Sequence, residues 1–130
     1  MVSNSSDDSD IIVDMEAGLE HLSRGTGRHL SRFVAVMEPY YRSMETARRV
    51  ALLARELGID DVVILANKVR DEADRRAIGD FCSAHDLQIV GEIPYDPSLI
   101  ETERHGDAPV EQRPPGAAVT AIRKLADVLA

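Results

Sequence analysis

Four short segments carry groups suited to chemistry, and each directly follows an apolar run: Asp14 with Gly18 four residues on, Glu38-Pro39, Asn67-Lys68 and Pro94-Tyr95-Asp96. An Asp-x-x-x-Gly arrangement suits a phosphate site. The carboxylate can hold a hydrated Mg2+, and the glycine amide can approach a terminal phosphate because no side chain intervenes. The same spacing is also ordinary turn chemistry after a strand. The Asn67 amide both donates and accepts, which matches the edge of a purine base and equally matches a loop cap. Pro94, Tyr95 and Asp96 can frame a base ring through a rigid backbone and one aromatic face, or simply turn the chain into a helix starting near Ser98. Doubly wound sheets bind ligands beyond the carboxyl ends of their strands. Residues at successive strand ends are therefore expected to meet at one crevice.

The elements that must position them alternate. Apolar runs at residues 11–13, 33–37, 62–66 and 88–93 hold few polar residues, as suits parallel strands covered on both faces. Helical patterns separate them, so the expected fold class is α/β, a mostly parallel sheet of about four strands with flanking helices. The first clear helix spans residues 42–58, with Ser43 as N-cap, Glu45 near its positive end and Gly58 as terminator. Met44, Ala47, Val50, Ala51, Ala54 and Leu57 form its sheet-facing stripe. Asp71 and Asp74 open another helix, with Ala73, Ala77, Ile78 and Phe81 on its apolar face, fading near His85. The last begins after Pro114-Pro115 and aligns Ala118, Ile122, Leu125 and Leu129.

Composition bounds the partners. The 130 residues include 15 Lys plus Arg and 23 Asp plus Glu, a net charge of −8, with 44% hydrophobic residues. That length and apolar content suit one small domain. Excess acid argues against a nucleic-acid surface, which needs clustered Lys and Arg. No apolar run approaches the roughly 20 residues of a membrane span. The single Cys82 cannot form an intrachain disulfide, which suits a reducing, cytoplasmic setting. Residues 1–10 are polar and acidic and read as a disordered tail, leaving residues 11–130 as the folded domain.

Other candidates have plain alternatives. Cys82 and His85 have a Cys-x-x-His spacing that on a helix would bring thiol and imidazole to one side. Two ligands are too few for a metal site, and core packing accounts for the cysteine. His21, flanked by Glu16 and Glu20, reads as a solvated loop histidine, and Arg24 to Arg28 as a lead-in to a short crossover helix.

The segment from Ile11 through Asp14, Gly18, His21 and Arg24 to Thr26 resembles the switch II region of the CooC-type accessory ATPases of carbon monoxide dehydrogenase, within the MinD/ParA class of P-loop ATPases. Val36-Met37-Glu38-Pro39, Arg42-Ser43-Met44-Glu45-Thr46-Ala47, Ala66-Asn67-Lys68-Val69 and Gly91 to Asp96 follow in the same order. The resemblance covers residues 11 to about 106. It implies a partial P-loop NTPase fold, ATP and Mg2+ as cofactors, and a role in nickel insertion into the dehydrogenase. Asp14 becomes the Mg2+-linked acid, Gly18 the switch II phosphate sensor, and Asn67 with Pro94, Tyr95 and Asp96 the adenine site. The implied partners are a second copy, a polypeptide supplying the P-loop, and the dehydrogenase as client.

Two departures matter. Lysine occurs only at Lys68 and Lys124, and neither lies in a Gly-x-x-x-x-Gly-Lys-Ser/Thr context. The family's Cys-x-Cys nickel motif is missing as well. The expectation is therefore the carboxyl-terminal part of such an ATPase, truncated or one piece of a split protein, without ATP hydrolysis of its own. The rival expectations are a non-catalytic interaction module and a fragment of a MinD/ParA positioning ATPase.

Overall fold

Valine, isoleucine and alanine runs become strands of a parallel sheet when helices can cover them, and three do so. The computed structural model describes residues 9–15 and 29–130. Strands β1 (Phe33–Met37), β2 (Val62–Val69) and β3 (Gln88–Pro94) form one parallel sheet in the order β1-β2-β3. Helix α1 (Tyr41–Glu56) connects β1 to β2, and α2 (Glu72–Ala84) connects β2 to β3. Helix α3 (Ser98–His105), a 3-10 turn at Pro109–Glu111 and α4 (Ala117–Leu129) complete the order.

Alternation along β2 divides the core into two layers. Val62, Ile64 and Ala66 face α1 and α2 and pack with Met37, Ala47, Ala51, Ala54, Ile78 and Cys82. Leu65 points to the other face, where Ile93, Ala118 and Leu125 form a smaller cluster under α4. Gly91 permits that approach: a Cβ there would lie 2.0 Å from Leu125 Cδ2. The outer side of β1 has no strand partner among the described residues, and Val36 beside it is 53% exposed.

Several boundaries depart from expectation. Residues 11–13, expected as the first strand, form none. Ile11 is 87% and Ile12 92% exposed, and no described strand takes their ladder bonds. Three residues offer too few hydrogen bonds to hold an edge by themselves, and no helix layer covers their apolar faces. The sheet thus has three strands within the described residues.

Ser43 is not the N-cap of α1, which starts two residues earlier behind Tyr40. The Ser43 hydroxyl instead accepts from the Glu38 amide at 2.9 Å, fastening the exit of β1 to the helix. Ala73 is exposed, and buried Asp74 takes the inner position because Arg70 grips it through two guanidinium nitrogens at 2.9 and 3.1 Å. Ile122 is exposed beside α4's packed face. Gly58 ends α1 as expected. At φ +91° it lets its amide reach Arg55 O at 3.0 Å and the Ile59 amide reach Ala54 O at 3.1 Å. Residues 1–8 of the expected tail, and Gly18, His21 and the Arg24 to Arg28 stretch, lie outside the described residues.

Candidate functional site

Because the strands run parallel, everything that follows them emerges on one rim. Met37 pairs with Ala66, and Val69 pairs with Pro94, so Glu38, the Asn67-Lys68 pair and the Tyr95-Asp96 turn share the carboxyl edge. The Tyr95 amide extends the ladder one step by donating to Val69 O at 2.9 Å.

The register between Ala66 and Val69 is irregular. Asn67 and Lys68 oppose the single residue Ile93, a two-against-one bulge that breaks the regular ladder. Lys68 sits at φ +55°, a left-handed conformation that costs a residue with a β-carbon. Its ammonium lies 2.8 Å from Glu38 Oε1, and the Tyr40 hydroxyl donates to Glu38 Oε2. The hydrogen bonds from Lys68 and Tyr40 hold the Glu38 carboxyl below its usual range, and Glu38 raises Lys68 in return. Asn67 is half-buried.

Asp96 is differently employed. Its Oδ1 accepts from the Ser98 amide at 3.0 Å and the Ser98 hydroxyl at 2.6 Å, and its Oδ2 accepts from the Ala118 amide at 3.0 Å. These bonds, that of the Ser98 hydroxyl foremost, hold its carboxyl below the ordinary range. One carboxylate thereby stands at the start of both α3 and α4, which fixes the turn carrying Tyr95. The Tyr95 ring itself is exposed.

Asn67, Pro94, Tyr95 and Asp96 therefore stand together. Asp14 is exposed and belongs to no strand, so the ladder does not assign it to that rim; the adjacent Met15, like Leu30 and Phe33, packs against the core. Gly18 lies outside the described residues. The sequence pointed to Glu38 and Lys68 only as strand-end residues. Their pairing depends on the bulge, which no glycine marks.

Cys82 is part of the core. Burial pushes its thiol up, and its Sγ lies 3.8 Å from Met37 Sδ. His85 is exposed and tilts against the Phe81 ring at 4.3 Å between centroids. No group of three His, Cys, Asp or Glu able to hold a metal occurs among the described residues. No helix among them is long and apolar enough to cross a membrane.

Comparison with known proteins bears on the family and the fold. No family model matches the chain. An uncharacterized ATP-binding protein of Methanocaldococcus jannaschii is 38% identical over 97 residues, which is 74% of this chain and 37% of that protein. The carbon monoxide dehydrogenase accessory protein CooC of Rhodospirillum rubrum is 38% identical over 96 residues, 74% of this chain and 36% of its own. Among solved structures, MinD of Aquifex aeolicus in its complex with MinC superimposes with a TM-score of 0.57 at 23% identity, covering 74% of this chain and 43% of that one. The chain thus spans a little over a third of the length of the curated relatives it matches. It is a partial homologue of CooC, and its parallel α/β fold is that seen in the MinD structure.

Proposed function

We propose that the chain supplies the base-recognition part of a CooC-like ATPase and acts in maturation of a nickel metallocentre, with carbon monoxide dehydrogenase as client. The observation that supports this reading is the two-against-one bulge in β2, in which Asn67 and Lys68 stand opposite Ile93, the residue before Pro94. An asparagine amide can pair with the edge of adenine, and the turn backbone with Tyr95 can flank its ring. The residues present fit a base better than they fit its phosphates. The chain has no Walker loop, and Asp14, which belongs to no described strand, is the carboxylate proposed for Mg2+, with Gly18 as the proposed phosphate sensor.

Magnitudes decide what such a chain does alone. A phosphate loop contributes several charge-assisted bonds of about 1.5 to 3 kcal/mol each. Losing three of the weaker kind lowers affinity by roughly a thousandfold. The isolated chain is therefore expected to bind MgATP feebly and not to hydrolyse it, and to gain both abilities with a polypeptide that carries the loop or in a dimer that includes one. Calorimetric titration of MgATP and MgADP, with Asn67→Ala as control, tests this. Weak binding abolished by Asn67→Ala supports the reading. ATP hydrolysis by the chain alone, lost on Asp14→Ala, contradicts the incomplete-site part of it.

A second reading is favoured by one feature. The side of β1 that is unpaired among the described residues, with exposed Val36, suits an interaction module derived from such an ATPase, one that has lost the nucleotide. Partner binding that is indifferent to Asn67→Ala and to MgATP would favour it. A fragment of a MinD/ParA positioning ATPase rests on fold likeness alone, and a nickel or dehydrogenase gene found beside this one would weigh against it.

A further inference from the structure

We infer that the Glu38–Lys68 ion pair, with Tyr40 behind it, is a positioning device that holds the β2 bulge so that Asn67 faces the rim; this deepens the base-site reading and rests on it for the ligand. Glycine is the default where a strand must turn through positive φ, because it has no β-carbon to clash. Lys68 occupies such a position at φ +55°. A lysine kept there at a conformational cost implies a use for its side chain, and the structure shows one contact that answers: Lys68 Nζ to Glu38 Oε1 at 2.8 Å.

Stability is a poor account of that contact. The Lys68 side chain is 56% exposed, and exposed ion pairs contribute little. Geometry is a better one. The Glu38 amide is tied to Ser43 in the first turn of α1 at 2.9 Å, and the Tyr40 hydroxyl donates to the other carboxylate oxygen. Glu38 is thus anchored on a rigid helix start, and the lysine spans from that anchor to the bulge. Asn67, adjacent to Lys68 and out of the regular ladder, is the residue whose direction the bulge sets.

The test uses the whole chain with Glu38→Gln, Lys68→Met and the exchanged pair Glu38→Lys with Lys68→Glu. Two readouts separate the claims. First, the side-chain amide signals of Asn67 in a proton–nitrogen correlation spectrum are followed without nucleotide. Both single variants are expected to shift them and the exchange variant to restore them, while the thermal midpoints stay close to that of the unchanged protein. Second, MgATP and MgGTP are titrated. The single variants should lose about five- to twentyfold in ATP affinity and bring the ATP-to-GTP ratio toward one, with recovery in the exchange variant. Asn67 signals unmoved in both single variants, or moved and not restored by the exchange, would overturn the positioning role. Absence of any adenine preference in the unchanged protein would overturn the base-site reading, while the first readout still decides the positioning role.

Discussion

Asp96 and Ala118 are 22 residues apart in sequence and joined by a hydrogen bond of 3.0 Å, from the Ala118 amide to Asp96 Oδ2. The other oxygen of the same carboxylate caps α3 through Ser98. Replacing Asp96 with alanine releases both helix starts. Each lost cap costs about 1 kcal/mol, so a destabilisation of about 2 kcal/mol is expected in urea unfolding. Asp96→Asn should retain part of it. An Asp96→Ala chain as stable as the parent would show that α4 is held by Leu125 and its neighbours alone.

Gly91 predicts a second, sharper effect. A Cβ at this position would meet Leu125 Cδ2 at 2.0 Å. Gly91→Ala is expected to cost roughly 1 to 3 kcal/mol through overpacking, and Leu125→Ala roughly 2 to 5 kcal/mol through a cavity. The double variant should fall short of the sum by at least about 0.5 kcal/mol, since each change makes room for the other. Simple additivity would mean that α4 moves away from β3 freely.

Acid should weaken the fold. Glu38, Asp74, Glu92 and Asp96 have carboxyls held below their ordinary values, mainly by Lys68, Arg70, Arg75 and Ser98 respectively. Arg48, with Arg49, brings Glu45 down to about 2. A depressed folded-state value stabilises above the unfolded value and is lost as pH falls through the folded one. Stability is thus expected to be flat near neutrality and to decline below about pH 4.5, with the Glu45 contribution persisting toward pH 2. Molar salt should shrink the decline from the exposed pairs. Thermal melts across this window, at low and high salt, check both the direction and the screening.

Cys82 should resist thiol reagents. Burial disfavours its thiolate, and its sulfur faces Met37. Alkylation of the folded chain is expected to run at least roughly a hundredfold slower than in denaturant. Comparable rates would mean that α2 opens readily from the sheet.

Size measurements test the open flank. An uncovered strand side with a half-exposed valine favours self-pairing, so the isolated chain should run as dimers or larger species. Val36→Lys is expected to shift it toward monomer. A compact monomer at every concentration for the unchanged chain would remove the flank from consideration as a binding surface.

The sheet was readable where local pattern and burial coincide. Residues 33–37 appear as an unbroken apolar run and form β1 with the same bounds. Gly58 marked its helix end because only a left-handed position needs it. Residues 11–13 have the same composition but no neighbour to share their hydrogen bonds, and pairing is not encoded in a run itself. At the site, Asn67 and Pro94 were legible from their place after apolar runs, although the strands run further than those runs: β2 continues through Asn67 and Lys68 to Val69, and β3 ends on Pro94 itself. The pairing of Lys68 with Glu38 and the double cap of Asp96 were not. The first follows from a bulge without a glycine, the second from a contact across 22 residues.

The flank of β1, unpaired among the described residues, makes strand addition there a matter of dosage. Homotypic pairing grows with the square of this chain's abundance, whereas capture by a complementing polypeptide grows with the product of the two. A surplus of the complement would therefore keep the chain in productive assemblies, and a surplus of the chain itself would drain it into unproductive ones.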